Sequence, residues 1–382
     1  MNASMRALTR RLTTAGAVVV LLTGGTVASA GAAAPVRGSA PGVTCGATLT
    51  TNTVLTRNLT CPSGNGLTLG AGVTLDLGGR TLTGPGSSGT GVVFSGAGGS
   101  ALINGTVRGW QDGVTEDVDS QVVPSSIRGV RFDKARLSFT NSSPTLTGVR
   151  LTDSPVIQFQ GHLVVQDSTL TRSTVKGYGA SVAVSGSTIR GGGVEQSDGW
   201  SVSIESSTLD GSGYDGPPTT CWESDILVRA STVRNYVRPI SPLGCSVSLQ
   251  GNTFTDNRNG VMTEAGMEDG PGNAVVDGNT FRGNGIALHS SSMTVTGNTF
   301  VANTTGVLAE RPETVTITGN TFSRNTSSGI RTLADGLTVG ANTATNNGRY
   351  GIYAPNAHDL GGNRAYGNTL GDCVGLICAG RR

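Results

Sequence analysis

Residues Gly278–Asn284 read GNTFRGN, and this stretch decides the fold. It returns as GNTFTDN at Gly251, GNTFVAN at Gly297 and GNTFSRN at Gly319. Looser copies, GANTATN at Gly340 and GGNRAYGN at Gly361, follow. The residue before each Thr-apolar pair serves as a phase marker. In the second half it is Asn252, Asn279, Asn298, Asn320, Asn342 and Asn363. Towards the N-terminus the same slot holds Ser231, Ser207, Ser187 and Ser168, then Val149, Val130, Gly105, Arg80 and Arg57. The markers advance by about 22 residues per step, the signature of a stacked repeat architecture.

Apolar residues come in twos and threes at alternate positions between Gly and Asn, with no helical period and no leucine framework. Short strands joined by tight turns are expected. About 22 residues per coil accommodate three strands and three turns. The expected fold is all-β, a single-stranded right-handed parallel β-helix of about 14–15 coils, roughly 70 Å long at the spacing of paired strands. Stacking then accounts for the asparagines. One column runs through the markers, and a second through Asn257, Asn284, Asn303, Asn325, Asn347 and Asn368, five residues later. Asparagine tolerates turn conformations, and its amide can donate to the next residue along the axis. Phe254, Phe281, Phe300 and Phe322 are expected to stack in the core.

The first 30 residues carry Arg6, Arg10 and Arg11, an apolar run from Ala15 to Val27, and Ala28-Ser29-Ala30. They read as a signal peptide, with general and twin-arginine export both open. Residues 31–42 read as a disordered leader, and 43–382 as one β-helix domain. No other apolar run is long enough for a membrane span. The chain has 27 basic and 25 acidic residues, and the excess of basic residues lies in the first 30. The remainder has no electrostatic footprint for nucleic acid. A secreted monomer is expected, with attachment to the cell surface left open. The six cysteines fall into local couples, Cys45–Cys61, Cys221–Cys245 and Cys373–Cys378, read as disulfides of an exported chain. The first and last would staple the two ends.

The stretches GVTLDLGGRTLTGPG (Gly72–Gly86), ALINGTVRGWQDGV (Ala101–Val114), the GNTF series and GNTLGDCVGLIC (Gly367–Cys378) resemble the right-handed parallel β-helix repeat proteins of bacteria, which share their architecture with pectate lyases and NosD-like periplasmic proteins. The resemblance covers roughly residues 43–380. It implies the fold and leaves activity open, because this fold serves lyases, hydrolases, epimerases and non-enzymes. Polygalacturonase-like N-T-D, D-D and G-H-G blocks are absent. An epimerase-like D-P-H-[DE] has only Ala357-His358-Asp359 as its nearest match. Arg238-Pro239-Ile240-Ser241 does not complete a pectate-lyase-like R-x-P-x-x-R. No cofactor is implied. NosD-like kinship adds a copper alternative through Met262, Met267, His289 and Met293.

Three groups of side chains are candidates for chemistry. The phase of the G-[VI] segments predicts Glu264, His289 and Glu310 as one outward column, either a proton-transfer or metal site or a solvated charge ladder. Lys176 and Glu195 are predicted to be neighbours on adjacent coils, either a lyase base with its partner or a surface ion pair. The central segment concentrates aromatic and acidic residues. Tyr178, Trp200, Tyr214, Trp222 and Tyr236 are the candidate carbohydrate-binding residues, and Lys176, Glu195, Asp215 and Glu223 the candidate catalytic ones. Asp210–Asp225 reads as a loop insertion that Cys221–Cys245 pins to the next coil. The leading expectation is a protein that binds or processes extracellular polysaccharide, as a lyase or glycoside hydrolase if it is an enzyme. The alternative is a non-catalytic envelope or adhesive β-helix. Convergence of two or more of Lys176, Glu195, Asp215 and Glu223 in one substrate-sized cleft marks the enzyme; their being scattered or paired off marks the other.

Overall fold

The computed structural model describes residues 42–380, except 96–97, 118–122, 198–199, 217–218, 223, 244, 264–272, 290–291, 310–313 and 333–334. The chain is a right-handed parallel β-helix of about fourteen turns, and the strand pairs along its length are all parallel. Each turn contributes a strand to each of three stacks. The first stack includes Ser246–Gln250, Ala274–Asp277 and Ser292–Thr296. The second includes Thr253–Thr255, Thr280–Arg282 and Thr299–Val301. The third includes Val175–Ser185 in its first residues, then Val194–Ser197 and Thr219–Trp222. Some strands, such as Ala101–Asp117 and Ser126–Ser142, run on round the corners.

The sequence phase is the structural register. Thr280 pairs with Thr299 and Thr299 with Thr321, so the preceding asparagines stack. At the corner between the first and second stacks one residue per turn takes a left-handed conformation. Gly297 does so at φ 63°, without the steric cost that Ala230 meets at φ 49°. The next residue then points inward. From Ser168 onward its side chain satisfies backbone groups in a dry interior, which selects Ser or Asn, whereas Val130 and Val149 fill the slot in earlier turns. The second corner repeats the arrangement with Asn257, Asn284, Asn303, Asn325 and Asn347, all buried.

Between the corners the strands alternate inward and outward. Phe254, Phe281, Phe300 and Phe322 form a continuous buried stack, with centroids 5.1, 4.7 and 4.7 Å apart and rings within 7° of parallel. All three expected disulfides are present, with Cα separations of 5.7, 6.3 and 6.2 Å. Cys221–Cys245 joins neighbouring turns, but both residues are buried. The bond therefore holds the wall from inside rather than pinning a surface loop.

Candidate functional site

The third stack carries a patch of exposed aromatic and charged side chains. Val156, Val175 and Val194 occupy one inward column. Alternation then turns the residues one and three places later outward. Lys176 lies in register with Glu195, and Phe159 with Tyr178. Gly177, between Lys176 and Tyr178, faces inward because a Cβ there would lie 2.4 Å from the Gln196 side-chain oxygen. The inward amide and the outward pair are thus specified by one short strand.

Lys176 Nζ lies 2.8 Å from Glu195 Oε2, and the Tyr214 hydroxyl donates to Glu195 Oε1 at 2.8 Å. The contact with Glu195 holds the Lys176 amine above its ordinary pKa, against the smaller opposing effect of burial. Lys176 is therefore an ammonium at neutral pH. Burial, reinforced by the bond to Glu195, also raises the Tyr214 hydroxyl, which stays protonated. Phe159 and Tyr178 stack at 5.0 Å with planes 15° apart, while remaining 42% and 38% exposed. Trp200 is 71% exposed, and its backbone N–H donates to Ala180 at the end of the same patch. These three are the exposed aromatics among the described large hydrophobic residues.

The structure thus brings together Lys176, Glu195, Tyr178 and Tyr214, with Trp200 near them along the chain. Tyr214 comes from the inserted segment, since the second-to-third turn lengthens between Asp210 and Thr219. Tyr236 does not belong to the surface. It is 1% exposed, donates its hydroxyl to the Gly192 carbonyl at 2.9 Å, and packs edge-on against Tyr214. A tyrosine ring in a turn slot that elsewhere holds asparagine is core, so the binding role expected for Tyr236 is withdrawn. Asp215 is exposed on the insertion. Glu223 and the Trp222 side chain lie outside the described residues. Phe159 was missed by the sequence reading, although it stands one repeat before Tyr178 in the aligned segments Val156–Phe159 and Val175–Tyr178.

Of the column predicted for Glu264, His289 and Glu310, only His289 is among the described residues. His289 pairs with Thr263 and Leu308. Gly260, not the residue after it, sits opposite Ile286, which offsets the segments aligned by their glycines. Glu264 and Glu310 themselves lie outside the described residues.

Residues 226–374, less than half of the chain, match the NosD family, described as periplasmic copper-binding protein. No curated protein matches the chain significantly. Among solved structures it is similar to tailspike protein 3 of bacteriophage CBA120 (14% identity, 85% of this chain and 54% of that one, TM-score 0.34). It is also similar to the catalytic unit of the GH87 α-1,3-glucanase of Streptomyces thermodiastaticus (16%, 86% and 63%, 0.37) and to the A-module of the mannuronan C-5 epimerase AlgE6 of Azotobacter vinelandii (12%, 88% and 92%, 0.29). The chain spans about half of the tailspike and under two thirds of the glucanase chain. At these identities and TM-scores no ligand or chemistry carries over.

The described residues of the matched segment do not fit copper. Met262 and Met293 are each 1% exposed and belong to different stacks, the first between Ile240 and Leu288, the second between Ala274 and Val315. Its cysteines are closed in disulfides. Among the described residues no three His, Cys, Asp or Glu side chains converge. Met267 lies outside them. No copper chemistry is assigned to this chain. The disulfides fit an extracellular or periplasmic location, and no helix among the described residues is long and apolar enough to cross a membrane.

Proposed function

We propose that this is an exported protein that binds extracellular polysaccharide on its third stack, without catalysis there. The observation that carries the proposal is the exposed Phe159–Tyr178 stack beside the Lys176–Glu195–Tyr214 network. Exposed aromatic faces on a rigid sheet suit the apolar faces of pyranose rings, and the flanking polar groups suit their hydroxyls. The free face of Tyr178 lies towards Ser197 on the next turn, which leaves room for a sugar. Lys176 and Glu195 are paired with each other, and Lys176 is held as an ammonium, so it is not available to abstract a proton. This pairing favours binding over elimination.

The test is retention of the purified protein by immobilised pectin, alginate, glycosaminoglycan and plant glucan, with product analysis for unsaturated ends and new reducing ends. One polymer should retain the protein with no product released. Tyr178→Ala and Trp200→Ala should each weaken retention roughly two- to tenfold, the range expected for one aromatic contact. Unchanged retention in the Phe159→Ala/Tyr178→Ala double variant would remove the site. Product formation that survives purification and is lost in Glu195→Gln would replace binding by catalysis.

A further inference from the structure

A second surface feature lies at the corner between the first and second stacks, away from the aromatic patch. An open cleft of about 370 Å³ is lined by Gly79, Asn104, Thr106, Gly129, Arg131 and Arg150, among others. Its floor has little side chain: a Cβ on Gly129 would meet only the Asn104 side-chain oxygen, at 3.5 Å, and one on Gly148 only a backbone nitrogen, at 4.0 Å. The rim is cationic. Arg131 and Arg150 are exposed and stand in direct register on adjacent turns.

This stacking breaks the pattern found elsewhere on the molecule. Each ion pair among the described residues joins opposite charges one turn apart: Asp112 with Arg136, Asp153 with Arg172, Lys176 with Glu195, Glu205 with Arg229, and Asp210 with Arg234. Arg131 and Arg150 instead place like charges side by side, an arrangement that costs stability. Among the described residues neither has an acidic partner. Asp133, two residues along, is in register with Arg108 and pairs with none of these arginines. Asp167 fills the next corner slot, but its carboxylate oxygen sits where it would come within 2.5 Å of a Cβ on Gly186, on the side away from the cleft.

We propose that this cleft is an oxyanion site, and that it takes the carboxylate or sulfate group of an anionic glycan. Two guanidinium forks on one rim suit a two-oxygen anionic group. The space is of the size of a small-ligand site, and Asn104 and Thr106 supply polar contacts for sugar hydroxyls. A single pair of arginines over one cleft lacks the extended basic stripe that nucleic acid requires. The assignment does not rest on the aromatic patch.

The experiment titrates the purified protein by calorimetry with an oligogalacturonate, a sulfated glycosaminoglycan oligosaccharide, a neutral maltooligosaccharide, inorganic sulfate and a DNA oligonucleotide. An anionic oligosaccharide should bind, and more weakly as salt is raised. Arg131→Gln and Arg150→Gln should each weaken it at least tenfold, with Arg229→Gln, the same change at an arginine paired with Glu205 outside the cleft, leaving it unchanged. Binding of only the uronate assigns a carboxylate, and binding of only the sulfated sugar assigns a sulfate ester. Arg150→Glu restores the opposite-charge stacking of the other turns. It should raise Tm without ligand and abolish binding, which separates loss of the site from loss of the fold. Binding unchanged in both glutamine variants overturns the proposal, as does binding of inorganic sulfate or DNA without either anionic sugar.

Discussion

At the scale of single residues, a buried asparagine in this fold makes an unusually complete set of bonds. Asn298 accepts from Asn279 N and Nδ2 at 2.8 and 3.0 Å on one side. It donates from N and Nδ2 to Asn320 Oδ1 at 2.8 and 3.0 Å on the other, and from Nδ2 to two backbone carbonyls. The serines upstream keep half of this arrangement: Ser187 N donates to Ser207 Oγ, while Ser187 Oγ donates to the carbonyl two residues back. Asn298→Ala leaves several buried partners without a bond and should cost about 2–4 kcal/mol. Asn298→Ser should cost roughly half as much, because serine already fills this slot in four turns. Urea unfolding measures both; equal losses for Ala and Ser would mean that the hydroxyl cannot replace the amide as acceptor. The two columns were legible in the sequence because every rung repeats the same residue at the same phase. Their ends were not. Asn363 Nδ2 donates to Asp359, and Asn368 N and Nδ2 to Asp372. The residue in register one turn after Asn363 is Cys378 rather than another asparagine, and the acceptors for these last rungs are local carboxylates outside the repeat.

At the scale of elements, the limit of legibility is the turn between the second and third stacks. The second stack carries the repeating Thr-apolar pair and fixes its own register. The third follows a connection that ranges from a few residues, Arg190 to Val194, to the insertion between Asp210 and Thr219. Lys176 and Glu195 were predicted as neighbours because the two turns that carry them have equal length, whereas the glycine-based alignment of Glu264, His289 and Glu310 crosses unequal ones. The insertion itself is anchored by Asp210, which accepts from Ser212 N and Oγ, Asn235 Nδ2 and Arg234 Nε. Burial alone would raise its pKa; these bonds and the Arg234 charge overcome it and bring it to about 2. A depressed folded-state pKa means that the contribution is complete above the ordinary carboxylate value of 3.8 and is lost as pH falls from there towards about 2. Asp210→Asn should lower Tm at pH 7, and the difference from the unmodified protein should shrink as pH is lowered through that window. A difference independent of pH would show that the charge of Asp210 does not hold the insertion.

At the scale of the whole molecule, a β-helix is close to one-dimensional: each turn contacts its neighbours, and stability is approximately a sum of turn and interface contributions. The described contacts fit this picture, because the Asn columns, the Phe stack and the ion pairs all link turn to turn. A turn is therefore a removable unit if its boundaries respect the register. Deleting residues 298–319 joins Gly297 to Asn320 and regenerates the T-G-N-T-F junction. Asn279 would then face Asn320, and Phe281 would face Phe322, as Asn298 and Phe300 do now. This variant should be soluble and cooperatively folded, with a circular dichroism spectrum of the same shape and a Tm within a few degrees. Deleting only residues 298–308, half a turn, joins Gly297 to Ala309 and so puts an alanine in the slot of a corner asparagine. It moves inward side chains to the surface, and it should not fold. The pair distinguishes register from the amount of chain removed, since the smaller deletion is the one expected to fail. If the full-turn deletion failed as badly as the half-turn one, the interfaces would not be interchangeable, and each turn would depend on contacts beyond its immediate neighbours.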